Sequence, residues 1–274
     1  MATFALHVPR IVAQSNEADS LARYTDSTWA EVQVTAKDGA VLSAWLFTPR
    51  RSNGSAVIVL HGVADSRLGS LGHAAFLLQR GFTVLTPDSP GHGRSGGELV
   101  TYGIREADDI HCWADRLFQA PAIRRLYGIG LSLGGGILLE SLRAEPRFRA
   151  VVADSAFATF PEIADERLQQ VTHMPRPVVW PIARLGFVYA RIRYGLDLRQ
   201  ASPVDALRST HVPILLIHGT ADTNIAPRHS RELHAANPAA AQLWLVGGAG
   251  HVASLGTDPE RYEQRVSDWF GGHP

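Results

Sequence analysis

The chain has 274 residues, 45% of them hydrophobic and 19% charged, and its 26 basic side chains equal its 26 acidic ones. That length suits one large α/β domain, with or without an insertion, and the apolar share excludes a disordered or fibrous chain. A net charge of zero gives no overall basic field to hold nucleic acid or an anionic membrane.

From the amino terminus, MATFALHVPRIVAQSNEADS lacks the basic start, apolar core and small-residue cleavage site of a secretion signal. The longest apolar runs fall far short of the ~18 residues of a membrane span. A soluble, cytoplasmic protein is expected, and residues 1–28 form an N-terminal extension of no recognisable pattern. Glu31 to Ala36 and Val41 to Thr48 alternate apolar and polar residues around Lys37-Asp38-Gly39, which predicts a hairpin. Short unbroken apolar runs follow at Ala56–Leu60, Phe82–Leu85, Leu126–Leu131, Ala150–Ala153, Ile214–Ile217 and Leu243–Val246. Such runs suit strands covered on both faces, as in a parallel sheet. Helical patterns lie between and after them at Leu71–Arg80, Ile104–Phe118, Leu133–Arg143, His229–Ala236 and Pro259–Phe270. The β-α-β rhythm predicts an open, mostly parallel sheet with an antiparallel start.

One interval, 157–200, carries aromatic residues and prolines but no strand. An insertion at the carboxyl end of a strand lies over the ligand crevice of an α/β sheet, so this interval is expected to form a helical cap. The expected organisation is therefore an extension (1–28), a core in two pieces (29–156 and 201–274) and the cap (157–200). Within the cap and its root, Phe157, Phe160 and Trp180 are candidates for the pocket wall.

The strongest chemical signal is Gly130-Leu131-Ser132-Leu133-Gly134, a G-x-S-x-G between a strand run and a helical stretch. That context is the one a nucleophile elbow requires. A serine hydroxyl is a weak nucleophile and needs a base, which in turn needs an orienting acid. In the elbow fold these follow in the order serine, acid, histidine. His251 sits in a glycine loop just past the last strand run and is the candidate base. Asp222 follows the run Ile214–Ile217 at the ligand-binding edge and is the favoured acid; Asp154, which ends the preceding run, is its rival. The backbone amides of Leu133 and of Val63, in the turn His61-Gly62-Val63, are the candidate donors to an oxyanion.

Other chemistries find less support. Gly91-His92-Gly93-Arg94-Ser95-Gly96 matches a dinucleotide-binding pattern, but no helix opens directly from it. Asp88 and the arginine of this loop are expected to fix its geometry beneath the active site. The single Cys112 excludes an internal disulfide and a cysteine-based zinc site, and the twelve histidines lack metal-ligand spacing, so no metal is expected.

With these pieces in order, the chain resembles the α/β-hydrolase superfamily, in particular carboxylesterases and serine-aminopeptidase-like hydrolases, over about residues 30–270. The resemblance rests on His61-Gly62-Val63, the Asp88 to Ser95 loop, the elbow, His218-Gly219-Thr220-Ala221-Asp222 and Gly250-His251. It implies the α/β-hydrolase fold with an eight-stranded sheet, a Ser132–Asp222–His251 triad, no cofactor, and a small-molecule ester of small to medium acyl group as substrate. Amidase, peptidase and acyltransferase activity begin with the same acylation and stay open, as does a non-catalytic binding role. No pattern in the sequence sets the oligomeric state.

Overall fold

The computed structural model describes residues 6–274; the first five residues of the N-terminal extension lie outside them. Among the described residues the chain forms one eight-stranded sheet in the order β1-β2-β4-β3-β5-β6-β7-β8. The strands are β1 (Ser27–Thr35), β2 (Val41–Pro49), β3 (Ser55–Leu60), β4 (Thr83–Pro87), β5 (Arg125–Leu131), β6 (Phe148–Asp154), β7 (Ile214–Gly219) and β8 (Ala241–Val246). β2 pairs antiparallel with β1 and β4, and all other pairings are parallel.

The strands explain the apolar runs. β3 is buried at every position, and side chains alternate between faces along a strand. Ile58 and Leu60 therefore join one core cluster while Val57 and Val59 join the other. On the first face pack α3 (Glu106–Phe118), α4 (Leu133–Ser141), α7 (Pro203–Leu207) and α8 (Arg228–Ala236), through residues such as Trp113, Leu138, Leu207 and Leu233. On the second pack α1 (Ser15–Tyr24), α2 (Leu71–Gln79) and α10 (Pro259–Gly271), through Leu21, Leu77, Val266 and Phe270. A short helix, α9 (Ser254–Thr257), precedes α10.

Two helices, α5 (Phe160–Thr172) and α6 (Arg176–Tyr194), occupy the strandless interval. Thr159 caps α5 by accepting from the Glu162 amide at 3.4 Å, and Gly195 ends α6 in the left-handed region. The pair is tied to the core where the Phe160 amide donates to the Ala201 carbonyl at 2.9 Å.

The described part of the extension packs on the core. Leu6 is fully buried, and its carbonyl accepts from the Val100 amide at 2.9 Å. The Arg10 guanidinium donates to the carbonyls of Gly93, Ser95 and Gly97 and so clasps the loop after β4.

Candidate active site

Three strand ends converge on one point. Ser132 stands between β5 and α4 with φ 53° and ψ −113°, a strained left-handed conformation for a serine. Its neighbours two residues away must be glycine. A Cβ on Gly130 would fall 2.3 Å from the Gly134 carbonyl oxygen, and one on Gly134 would fall 2.5 Å from that of Leu60. The turn presents the Ser132 hydroxyl above the sheet, with the first free amides of α4 beside it.

Asp222 follows β7 and His251 follows β8. The Ser132 Oγ lies 2.8 Å from His251 Nε2, and His251 Nδ1 lies 2.7 Å from Asp222 Oδ2. An ionised carboxylate only accepts, so Nδ1 carries the ring proton and Nε2 is left to accept from the serine. The other carboxylate oxygen, Oδ1, accepts from the Asn224 and Ile225 amides at 2.9 and 3.0 Å. Burial opposes the charge on Asp222. Hydrogen bonds from His218, His251 and the Ile225 amide outweigh it and hold the carboxyl well below its usual range.

Asp154, the rival acid, ends β6 beside Leu131 and is fully buried. Burial pushes its carboxyl up to about 6. Its Oδ1 accepts from Ser155 Oγ at 3.0 Å and Ser254 Oγ at 3.3 Å, while Ser155 Oγ accepts from the Val252 amide at 3.2 Å. Asp154 thus braces the loop that carries His251 and makes no direct bond to the imidazole.

The His61-Gly62-Val63 turn lies against the serine: a Cβ on Gly62 would sit 3.6 Å from Ser132 Cβ. Two histidines lock this turn. His61 Nδ1 donates to the Gly62 carbonyl at 2.7 Å and its Nε2 accepts from the Ser89 amide at 3.1 Å. His92 Nδ1 donates to the Pro90 carbonyl at 3.0 Å, and its Nε2 accepts from the Ala64 amide at 3.2 Å. Burial, together with the neighbouring His92, lowers His61 to about 4, and burial lowers His92 as well, so both rings act as neutral struts. The Ala64 amide is therefore engaged. The amides of Val63 and Leu133 make no bond to another protein group among the described residues, and both residues line the cavity above the serine.

Beneath the turn, Asp88 accepts from the Arg67 amide at 2.8 Å, from Arg67 Nε at 2.9 Å and from the Arg94 amide at 2.8 Å. Arg67 and Asp88 are both fully buried, with a further contact at 2.7 Å. The loop's own arginine, Arg94, gives Asp88 only its amide, and its half-exposed side chain turns toward Glu31 at 3.9 Å. The buried guanidinium that answers Asp88 belongs to Arg67, a residue the sequence reading passed over.

A cavity of about 770 Å³ opens over Ser132 and His251, between the strand ends and the pair α5 and α6. Its wall is mostly apolar and includes Leu131, Phe157, Phe160, Ile163 and Leu168. Of the three pocket candidates, Phe157 and Phe160 lie in this wall. Trp180 does not. It faces outward, 48% exposed, with the Arg184 guanidinium 5.2 Å from its ring centre.

His218 is a second residue whose part the sequence reading missed. Its Nε2 lies 2.8 Å from the Ile225 carbonyl and 3.3 Å from Asp222 Oδ2, and its Nδ1 lies 2.6 Å from Ser230 Oγ. It supports Asp222 from behind, and only its place one strand end below Asp222, in His218-Gly219-Thr220-Ala221-Asp222, hints at this. Among the described residues no group of three or more His, Cys, Asp or Glu side chains is arranged to hold a metal ion.

Strand order, elbow and facing histidine define an α/β protein whose candidate site lies at the carboxyl edge of its sheet. Residues 57–265 match the profile of the alpha/beta hydrolase family, and the chain belongs to that family. Among curated relatives, the uncharacterized protein YqkD of Bacillus subtilis is 27% identical over 217 residues, 78% of this chain and 70% of that one. The uncharacterized protein YfhR of Escherichia coli K12 is 27% identical over 237 residues, covering 84% and 76% respectively. Among solved structures, the esterase Pf2001 of Pyrococcus furiosus superposes with a TM-score of 0.79 at 23% identity, covering 97% of this chain and 99% of that one. A thermophilic esterase from Thermogutta terrifontis, solved with malate bound, gives 0.63 at 20% identity, covering 89% and 100%. At these identities the two structures establish the shared fold.

Proposed function

We propose that this protein hydrolyses carboxylic esters of small to medium acyl groups through an acyl-enzyme on Ser132. The observation that carries this reading is the unbroken chain Ser132 Oγ, His251 Nε2 at 2.8 Å and, from His251 Nδ1, Asp222 Oδ2 at 2.7 Å, opening into an apolar cavity. Ser132 Oγ attacks the ester carbonyl as its proton passes to His251 Nε2. Negative charge then gathers on the carbonyl oxygen, and the Val63 and Leu133 amides are the donors that take it; each such donor is typically worth about 3 kcal/mol. The tetrahedral adduct collapses, the C–O bond to the alcohol breaks, and the leaving oxygen takes the proton from His251. Water then attacks the acyl-enzyme, giving its proton to His251, and the acid leaves as Ser132 recovers that proton. Asp222, held as a carboxylate, fixes the imidazole tautomer and stabilises its cation.

Phe157 and Phe160 are proposed to hold the acyl chain, and the interval 157–200 to act as the cap that covers it. A Ser132 elbow with a histidine base separates this chemistry from fold members that attack with aspartate. The experiment is hydrolysis of p-nitrophenyl acetate, butyrate and octanoate by the wild type beside Ser132→Ala. Serine-dependent turnover supports the reading, and the best chain length sizes the pocket. Turnover of aminoacyl anilides in preference to all three esters would move the assignment to an amidase.

A further inference from the structure

Helix α6 carries two apolar stripes. Val179, Ala183, Phe187 and Ala190 are buried against the protein. Val178, Leu185, Val188 and Ile192 are exposed, at 45%, 70%, 54% and 81%, and exposed Pro181 lies among them. At about 100° per residue, the second stripe spans roughly 80° and lies roughly opposite the first. Solvent-facing helix positions normally carry polar residues, and isolated exposed apolar residues need no explanation; a continuous stripe does. Val171, Met174 and Tyr189 are exposed as well, Tyr189 beside this stripe by helical phase.

Charge is distributed with the same bias. Between residues 167 and 196 stand five arginines (Arg167, Arg176, Arg184, Arg191 and Arg193) and no acid, so the remaining chain, with 21 basic and 26 acidic residues, carries the balancing excess of five negative charges. The neutral total therefore hides a cationic segment on a weakly acidic body. Arg184 reaches Asp165 at 3.5 Å, and Arg167 donates to Gln170 and Asn224. Arg176, Arg191 and Arg193 enter no salt bridge among the described residues. By helical phase Arg184 and Arg191 flank the outer stripe on one side and Arg193 stands toward the other.

We propose that the outer face of α6 docks on an anionic lipid surface. An apolar stripe with Tyr189 beside it, edged by cations, has the composition of a helix lying in the plane of a membrane interface. Charge complementarity selects this occupant over a second copy of the chain. Two copies meeting stripe to stripe would set like charges together: Asp165 answers Arg184 and Asp197 faces Arg191, but the excess of arginine over acid stays uncompensated, whereas anionic headgroups supply its counter-charges. The inner face of α6 places Ala183 and Phe187 in the cavity wall, and exposed Val171 of α5 lines it too, so docking sets the α6 wall of the cavity against the lipid. On the ester reading of Ser132, the substrates are then esters dissolved in or belonging to that surface; the docking itself does not depend on that reading.

The test is co-sedimentation of the full-length protein with phosphatidylcholine vesicles, with and without phosphatidylglycerol, at low and raised salt. The expected result is binding that needs phosphatidylglycerol, weakens with salt, and falls by about tenfold or more in Leu185→Glu with Ile192→Glu. Arg191→Glu with Arg193→Glu should weaken it similarly; all four residues are exposed, so folding is spared. Absence of vesicle binding, or binding equal in the variants, overturns the proposal. So does a concentration-dependent dimer on a sizing column that Leu185→Glu with Ile192→Glu dissolves, which assigns the face to a second copy. Turnover of soluble p-nitrophenyl butyrate in the same samples reports on Ser132 alone: vesicle binding without turnover keeps the docking surface and removes the ester reading.

Discussion

At the scale of single residues, the site depends on a few side chains whose hydrogen bonds leave them one role each. Ser132→Ala is expected to remove ester turnover by at least about a thousandfold while leaving the melting temperature near that of the wild type, because the elbow's backbone demands fall on Gly130 and Gly134. His251→Ala should match it, since in the proposed mechanism nucleophile and base act as a unit; single-turnover kinetics on p-nitrophenyl butyrate would check both. A milder loss is expected for His218→Leu. That change removes a donor behind Asp222 but leaves the 2.7 Å bond to His251, so kcat should fall with KM little changed. A loss confined to KM would mean that His218 shapes the pocket instead.

At the scale of elements, two buried charges set how the strand-end loops respond to change. Arg67 and Asp88 tie the segment after β3 to the loop after β4 in a fully buried pair. Arg67→Met would leave Asp88 as an uncompensated buried carboxylate and is expected to cost about 3–5 kcal/mol in urea unfolding. Asp109, buried in α3, is a different case. Burial, reinforced by Glu106, Asp38 and Asp108, raises its carboxyl to about 8 from the ordinary 3.8. The folded state therefore holds a proton that the unfolded state has released between those two values, and stability falls as pH rises through that window. Asp109→Asn cannot ionise, so it should stabilise the protein more at pH 8 than at pH 5, by on the order of 3 kcal/mol. Thermal melts at the two pH values would show this as a widening gap between variant and wild type.

At the scale of the whole molecule, the cavity exists only because α5 and α6 span the strand ends. Ala164, on α5, lines that space. Ala164→Trp would fill part of it, and turnover of p-nitrophenyl octanoate should fall by about tenfold or more relative to acetate. Equal loss on both esters would mean that the acyl chain lies elsewhere.

The same three scales separate what was legible in the sequence from what was not. The alternation of apolar runs and helical patterns was legible because each strand and helix is dictated over a few residues by period and burial; all eight strands lie where the runs do. Ser132 stood out because the elbow is local, its backbone geometry enforced by glycines two residues away. Choosing between Asp154 and Asp222 is a matter of neighbours in space: both follow strand runs, and only the return of the loop after β8 beside Asp222 puts His251 against it. The struts His61 and His92 and the pair Arg67 and Asp88 join residues 21 to 28 positions apart, a separation no local pattern encodes. Trp180 turned outward while Phe160 turned inward for a related reason. A helix with apolar residues on two faces has no unique inner side until it packs, and the phase of α6 against the core chose Val179, Ala183 and Phe187. Net charge was equally blind, since a sum over the chain carries no position. Short-range chemistry thus wrote the strands and the elbow into the sequence, while long-range packing brought Asp222 to His251 and assembled the braces and the cavity, because those depend on residues that meet only once the sheet has formed.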